Sequence, residues 1–390
     1  IGSTLEEKQR FARQAAFFQP LVEIYQDKGS SECRWDPRYG EGVGTQDELC
    51  DFELLDTTSL LGTVGVSGGG TQLPPSAFNP KSFVRNVFKD GVAQQQEIGV
   101  NPFKMGVVAA SDSHNGTMGW HPEDASYGGH LGIEDAIPVL DTNIQNSSGG
   151  HSVAWAEENT RAAIFAAMKR RETYGTSGPR MRVRFFGGWD FDDAICHETS
   201  GALAAAGYAG GVPMGGDLRA GAEDGGRPTF LVAAWWDDVL QTPLQQVQII
   251  KGWVDADGET HEEVHLVAGG ANGAFVDPVT CEPVGERVDY LCGVFEDPEF
   301  DAERPTFYYA RVVENPVCRY STHYCREEFG INPLSTGCAN ELAALQKSDP
   351  AKASSAAQCC NNEASSLYVQ PVIQERAWTS PIWWTPEAGE

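Results

Sequence analysis

Asp112 and His114 are the side chains whose types and spacing best suit metal chemistry in this chain. They lie two residues apart, directly after the apolar run of residues 105–110, which is short and continuous like a buried parallel strand. If the extended geometry persists, both side chains point to one face. A carboxylate oxygen and an imidazole nitrogen are suitable ligands for zinc, manganese or iron. The pair alone is a weak signal, because a loop-capping aspartate beside a surface histidine has the same pattern.

Ser177 and Arg180 form a second candidate site, for an anion. They flank Gly178 and Pro179 in a turn that follows a predicted helix. A hydroxyl, backbone amides and a guanidinium together suit phosphate or sulfate. The alternative is a turn that only starts the next domain.

Other histidines give weaker signals. His121, His130 and His151 lie in glycine-rich loops after the metal pair, where one of them could approach the site, although a surface histidine is the default interpretation. His197 follows Cys196, but no partnering base or metal spacing surrounds them. A cysteine nucleophile therefore has little support.

The elements that must position these residues alternate between helix and strand up to residue 180, as in an α/β protein. Ser3-x-x-Glu6 has the spacing of a capping box and predicts that a helix begins there. Apolar patterns and turn residues predict further elements. They are a strand at 21–25, a helix at 82–96, a strand at 105–110 and a helix at 157–171.

From residue 181 the apolar residues alternate, as in half-buried strands. The alternation is clear in residues 181–185 and in parts of 229–236 and 247–254. We therefore expect an antiparallel β-sandwich over 181–313. The remaining residues, 314–390, form a cysteine-rich tail whose tryptophans we expect to pack back on the earlier domains.

Composition excludes several classes of protein. The chain of 390 residues is 41% hydrophobic, which is unlike a disordered chain. Its 28 basic and 55 acidic residues give a net charge of −27, which opposes binding to nucleic acid or to an anionic membrane surface. No apolar run approaches the roughly 20 residues that span a bilayer.

The ten cysteines favour disulfides, since their spacings do not follow the paired Cys-x-x-Cys pattern of structural zinc sites. We predict that Cys33 pairs with Cys50, that Cys281 pairs with Cys292 and that most of the others also pair. This indicates an oxidising compartment, periplasmic or secreted. Reduced, buried thiols in a cytosolic protein are the alternative.

Several segments closely resemble a bacterial family known as domain of unknown function 3604 (DUF3604). The resemblance is distributed from about residue 20 to residue 386. The clearest segments are residues 104–115, 157–161, 170–174, 176–180, 185–189, 247–255 and 374–378.

That family resembles the PHP (polymerase and histidinol phosphatase) metal hydrolases, whose distorted barrels bind up to three metals through histidines, carboxylates and a final Asp-x-His. Asp112 and His114 match that final motif, which implies divalent metal ions (zinc, manganese or iron) as cofactors. Lys28, Gly29 and Glu32 match a family segment after a strand, where Lys28 and Glu32 could reach substrate or metal. A solvated loop carboxylate is the alternative for Glu32.

The resemblance implies an incomplete PHP-type (β/α) barrel over residues 1–180. No histidine precedes residue 112, so the early His-x-His of the PHP pattern has no counterpart in this sequence. We therefore expect a separate N-terminal polypeptide to complete the barrel and its ligand set. The chain also begins at Ile1 without an initiator methionine or a signal segment, which suggests upstream processing or truncation.

The leading hypothesis for function is hydrolysis of a small phosphate or related ester by metal-activated water. The second hypothesis is a secreted ligand-binding module on a catalytically inactive barrel scaffold.

Overall fold

The structure, a computed structural model, describes residues 4–54, 74–112, 147–218, 226–360 and 370–386. The helices in these residues are α1 (Leu5–Phe18), α2 (Val84–Ile98), α3 (Arg161–Lys169), α4 (Ser200–Gly210), α5 (Tyr320–Phe329), α6 (Cys338–Ser348) and α7 (Pro350–Ser355). None of them is long and apolar enough to cross a membrane.

The strands of the amino-terminal half are β1 (Leu21–Gln26), β2 (Gly29–Ser30), β3 (Trp35–Asp36), β4 (Glu41–Gly42), β5 (Gly106–Ala109), β6 (His151–Ala154), β7 (Thr173–Thr176) and β8 (Arg182–Gly188). Those that follow are β9 (Gly211–Pro213), β10 (Thr229–Trp235), β11 (Leu244–Val254), β12 (Thr260–Gly269), β13 (Phe275–Val276), β14 (Pro283–Val284), β15 (Tyr290–Glu296), β16 (Thr306–Glu314), β17 (Val317–Cys318), β18 (Val372–Ile373), β19 (Arg376–Thr379) and β20 (Ile382–Trp384).

Two antiparallel sheets form the centre of the molecule. One has the order β12-β11-β16-β19-β7-β6, with β20 also paired to β16, and the other has the order β15-β10-β8-β9. Alternate residues of β16 point to opposite faces of the larger sheet. Tyr308 and Ala310 belong to the apolar cluster shared with β8 and β10, whereas Phe307 and Tyr309 belong to a second cluster.

The second cluster lies between the large sheet, helix α2 and a small sheet of order β2-β1-β5. Strands β1 and β5 run parallel, with Val22 opposite Val107, and α2 lies between them in sequence. This is a β-α-β connection, which parallel strands require. The chain is thus of mixed α/β type with extensive antiparallel sheet, as the change of pattern at residue 181 predicted.

The large sheet extends across both of the predicted domain boundaries. Strand β7 pairs with β19, so residues from before 180 and from the tail are neighbours in the sheet. The tail tryptophans do return: Trp378 and Trp383 are buried in the second cluster, and Trp384 lies in the first. Sequence periodicity could not show this, because pairing between distant strands is not encoded in either strand alone.

Helix α1 begins one residue later than the capping box predicted. Thr4 is the N-cap, its hydroxyl accepts a hydrogen bond from the Glu7 amide, and the Glu7 carboxylate accepts one from the Thr4 amide. The motif that forms is therefore Thr4-x-x-Glu7. The sequence contains both possible capping boxes, Ser3-x-x-Glu6 and Thr4-x-x-Glu7, because serine and threonine are adjacent and so are the two glutamates.

All ten cysteines form disulfides: Cys33–Cys50, Cys196–Cys292, Cys281–Cys318, Cys325–Cys359 and Cys338–Cys360. The Cys33–Cys50 prediction is confirmed, and so is the general pairing. The Cys281–Cys292 prediction is wrong. Cys292 lies on β15 against the turn that holds Cys196, whereas Cys281 packs with Cys318 in a separate apolar cluster. Five disulfides are typical of an oxidising, extracytoplasmic compartment.

Two disulfides differ in the length of chain that they constrain, 17 residues for Cys33–Cys50 and 96 for Cys196–Cys292. Replacing both cysteines by serine should lower the free energy of unfolding by about 3 kcal/mol for the first pair and about 4.7 kcal/mol for the second, in the chain-entropy model. Urea unfolding of the two double variants measures this order. A larger loss for the short loop would contradict it.

Candidate functional site

The carboxyl ends of β1 and β5 meet at one edge of the small sheet because the two strands are parallel. Asp27 and Lys28 follow β1, and Ser111 and Asp112 follow β5. Burial lowers the pKa of Lys28, while the negative charges of nearby Glu23, Asp27 and Asp112 act in the opposite direction. The structure thus places Lys28 and Asp112, which are far apart in sequence, close enough for the charge of Asp112 to act on Lys28.

The backbone of Asp112 is in the left-handed region, with φ of 51°. This conformation is uncommon for a residue other than glycine, although aspartate tolerates it better than most. Asp112 is exposed, whereas Asp27 beside it is only 4% exposed. Strained conformations of this kind are concentrated at functional sites.

The segment before β6 is held against both strand ends. The Ser147 amide donates to the Asp27 carbonyl at 2.6 Å, and the Gly150 amide donates to the Ala110 carbonyl at 2.7 Å. A Cβ at position 150 would lie 2.3 Å from the Thr176 carbonyl oxygen, so only glycine permits this approach. The segment therefore delivers His151, the first residue of β6, to the same edge.

The His151 ring fixes the turn after β7, since its Nδ1 lies 2.7 Å from the carbonyl oxygen of Gly178. Of the three loop histidines considered from the sequence, His151 is the one that the structure describes. His121 and His130 lie outside the described residues, and so does His114, the second predicted metal ligand.

The two predicted anion-binding residues of this turn face different environments. Ser177 is fully buried, and its hydroxyl donates to Glu375 and accepts from the Arg376 amide at 2.8 Å. Arg180 is exposed, and its amide donates to the Asp237 carboxylate at 2.6 Å. The Ser177 hydroxyl therefore holds the turn in place, and Arg180 is the side chain that reaches solvent.

Glu32 occupies the protein interior and not the end of a strand. Only 2% of it is exposed, and its carboxylate accepts hydrogen bonds from Arg85 at 2.5 Å, Tyr309 at 2.6 Å and Trp378 at 2.7 Å. Arg311 lies 3.2 Å away. Burial alone would raise the pKa of Glu32, but Arg311 and Arg85 outweigh it and hold this pKa far below its ordinary value.

The network around Glu32 continues outward. Arg85 also contacts Asp47 at 2.9 Å and Glu262 at 3.1 Å, and Lys89 contacts Glu262 at 2.8 Å. Arg311 contacts Asp47 at 2.8 Å. Three acids thus face three bases, so the network is balanced in charge. It joins the loop after β2 to α2, β12, β16 and β19, and it holds the Glu32 carboxylate in the protein interior.

A different arginine in this region has no carboxylate in direct contact among the described residues. No carboxylate of the described chain lies within 4.0 Å of the Arg376 guanidinium, which donates to the Leu49 carbonyl at 2.7 Å and packs over the Phe52 ring at 3.8 Å. Burial and the nearby Arg311 lower its pKa to about 10. Arg376 lines a cavity of about 610 Å³ whose walls also include Arg34, Trp35, Phe52 and Gln374.

Within the described ranges, one group of three potential metal ligands comes close together, Cys33, Asp47 and Cys50. The two cysteines are joined in a disulfide, so this group is not a metal site.

A scan against family models matched residues 2–338 to the family described as "Protein of unknown function (DUF3604)". The chain belongs to the DUF3604 family. This confirms the resemblance drawn from the sequence motifs. A search of curated proteins and a search of solved structures each found no match to this DUF3604 protein.

Sequence reasoning did not single out Asp27 or Arg376. Asp27 lies two residues after the predicted strand 21–25, and a carboxylate just past the end of a strand next to a parallel neighbour was a signal that could have been used. No local pattern marks Arg376, because its surroundings come from segments distant in sequence.

The Glu32 network predicts a specific acid sensitivity. Glu32→Gln would leave Arg85 and Arg311 short of one buried negative charge and should lower the free energy of unfolding by roughly 3–5 kcal/mol at neutral pH. The pKa of Glu32 is lowered from 4.5, so its stabilisation is present above that pH and is lost as the pH falls below it. Urea unfolding at neutral and at strongly acidic pH should show a smaller acid-induced loss in the variant.

Glu41→Gln is the matched control, because Glu41 is exposed on the neighbouring strand β4. It should leave both stability and its pH dependence unchanged. Equal acid sensitivity in wild type and Glu32→Gln would show that Glu32 does not hold this network together.

Proposed function

We propose that this DUF3604 protein is a metal-dependent hydrolase of a phosphate or related ester. The observation that carries the proposal is the convergence of Asp112, Asp27, Lys28 and His151 at the carboxyl ends of two parallel strands. This is the end at which α/β barrels place their chemistry. We further propose that β1, α2 and β5 are part of a PHP-type barrel, which the β-α-β connection supports.

The side chains at this edge suit a divalent ion such as zinc, manganese or iron. Asp112 would be a ligand together with His114, and Asp27 and His151 supply a further carboxylate and imidazole nearby. The left-handed backbone of Asp112 supports the assignment, because strain is retained where a side chain must be aimed. When bound, the ions would lower the pKa of a water molecule and stabilise developing negative charge.

The other residues would act on the substrate. Lys28, partly buried beside Asp112, would contact the anionic group of the ester, and exposed Arg180 would bind it from the turn. Ser177 would position that turn through its bonds to Glu375 and the Arg376 amide. Glu32 would support Lys28 indirectly, by fixing the loop of residues 27–32 in the core.

The decisive experiment is metal analysis of the purified protein. Wild type should contain stoichiometric zinc, manganese or iron, and Asp112→Asn should lose it. Hydrolysis of p-nitrophenyl phosphate should fall by more than the roughly 10- to 100-fold that follows loss of an outer partner of a ligand. Asparagine tolerates the left-handed backbone, so the variant should fold.

Asp257→Asn is the control, because Asp257 is exposed in the turn between β11 and β12 and should retain both metal and activity. Wild-type protein free of these metals after growth with them would exclude a metal-dependent hydrolase. A metal content that Asp112→Asn does not change would exclude Asp112 as a ligand.

A secreted ligand-binding module is the second candidate, and the cavity beside Arg376 favours it. Its walls carry both arginines and acids as well as the rings of Trp35 and Phe52, a lining that suits a polar ligand with an apolar part; the charged residues are Arg34, Arg38, Arg376, Asp36, Glu48, Asp51 and Glu53. The metal analysis separates the two, since this function requires no ion at Asp112. The five disulfides support export, and a periplasmic or secreted location is part of both proposals.

We also propose that a separate N-terminal polypeptide covers the outer side of β1. On this edge β2 pairs only with Tyr25 and Gln26, so residues 21–23, which pair with β5 on the other side, have no strand partner on the outer side among the described residues. Helices α1 and α3 meet at Phe17 and Lys169, and both expose apolar side chains. The Lys169 ammonium contacts both the carbonyl oxygen and the ring of Phe17, and the exposed apolar side chains are Leu5, Phe11, Phe17, Phe18, Ile164, Phe165 and Met168.

The exposed apolar side chains of α1 and α3 and the open edge of β1 predict self-association of the isolated chain, because large exposed apolar patches and open strand edges favour it. Phe18→Ser combined with Phe165→Ser should reduce binding of an apolar dye and shift the chain towards monomer in light scattering. Val239→Ser is the control, since Val239 is 77% exposed and lies outside these two helices. A wild-type chain that is monomeric and binds no dye would contradict the proposal.

A further inference from the structure

Glu314 is a buried carboxylate without a hydrogen-bond partner in the described part of the chain. It ends β16 in the row that carries Tyr308, Ala310 and Val312 into the core between the two large sheets. The residue is 0% exposed, and neither of its carboxylate oxygens has a hydrogen-bond partner in the chain as described. An ionised carboxylate left in this state is very costly, so something must compensate it.

The charged groups nearest to Glu314 further disfavour its ionised form. Glu375 and Asp237, which are 2% and 3% exposed, both act on it with the same sign of charge. Burial and these two carboxylates raise the pKa of Glu314 well above its ordinary value, and no basic side chain contributes in the opposite direction. This contrasts with Glu32, which has two arginines within hydrogen-bond distance.

The neighbours are already engaged by other groups. Asp237 accepts from the amides of Arg180, Val239 and Leu240 at 2.6, 2.7 and 3.2 Å. Glu375 accepts from the Ser177 hydroxyl, and its carbonyl accepts from the Glu314 amide at 2.9 Å. The cluster therefore has acceptors in excess, which a bound cation would balance.

We propose that Glu314 and Glu375 hold a hard cation, with Ca²⁺ as the best fit, behind the turn of residues 177–180. The available donors are carboxylate, hydroxyl and carbonyl oxygens, which calcium prefers, and no histidine or cysteine of the described residues forms a ligand group with them. The Asp237 carboxylate already accepts from three backbone amides, so it would compensate the ion from a distance and not as a direct ligand.

This site is separate from the Asp112 site, but the two share the turn. Ser177 bonds to Glu375, and the Arg180 amide bonds to Asp237, so both ends of the turn rest on the acidic cluster. A bound ion would fix the turn from behind, and His151 contacts it at Gly178 from the other side. The ion thus has a structural role that does not depend on the reaction proposed above.

Thermal unfolding and calorimetry of the intact protein test the site. After dialysis against EDTA at neutral pH, added Ca²⁺ should raise the Tm of wild type and bind with a stoichiometry of one at Glu314. Glu314→Gln should abolish that response, and in EDTA it should melt above wild type because the buried charge is gone. Glu303→Gln, at an exposed acid in another loop, should keep the wild-type response.

Wild type whose Tm is the same in Ca²⁺, Mg²⁺, K⁺ and EDTA, and which takes up no Ca²⁺, would overturn the proposal. Glu314 would then be a protonated acid, and its stabilisation would be lost as the pH rises. If Glu314→Gln does not fold, Tb³⁺ luminescence sensitised by tryptophan tests cation binding to wild type directly: a signal that Ca²⁺ displaces supports the site, and no signal contradicts it. Repeating the Ca²⁺ titration in Asp112→Asn, where the response should persist, separates this site from the proposed catalytic metal.

Discussion

The fold depends on compensation of the buried Glu32 carboxylate. Glu32 lies in the loop after β2, where that loop meets helix α2, strand β16 and strand β19, and these three elements supply its partners. Its hydrogen bonds to Arg85, Tyr309 and Trp378 join the small parallel sheet to the large antiparallel one. Since removing one member of a buried ion network costs several kcal/mol, the layers cannot separate without exposing unpaired charge.

Glu314 is also a buried carboxylate, but no basic side chain compensates its charge. The two carboxylates lie on opposite faces of β16. Arg311 points to the layer that contains Glu32, and Glu314 points to the layer between the two antiparallel sheets. In the layer of Glu32, three acids face three bases, namely Glu32, Asp47 and Glu262 with Arg85, Arg311 and Lys89. In the layer of Glu314, three acids lie near the turn of residues 177–180, namely Glu314, Glu375 and Asp237. Two buried carboxylates of similar exposure therefore shift their pKa in opposite directions, which burial alone could not produce.

The sequence predicts local structure here better than it predicts the site. Strand 21–25, helix 82–96 and the alternation over 229–236 all correspond to elements of the fold, because periodicity is a local property. Cys33–Cys50 was accessible for the same reason, since it closes a short loop. Cys196–Cys292 was not, because 96 residues separate its ends and only the packing of β15 on the turn at Cys196 brings them together.

The candidate site residues also divide into those that local sequence places correctly and those whose position depends on distant partners. Asp112 was found from its position after a strand and Lys28 from its match to a family segment, and parallel pairing does place them at one edge. Glu32 was chosen from the same family segment and Ser177 from its turn, but their partners come from α2, β16, β19 and the residue before β19. A side chain that follows a strand by several residues can turn towards solvent or towards the core, and distant partners decide between the two. For Glu32 the decision rests on Arg85 and Arg311, which are 53 and 279 residues away in sequence.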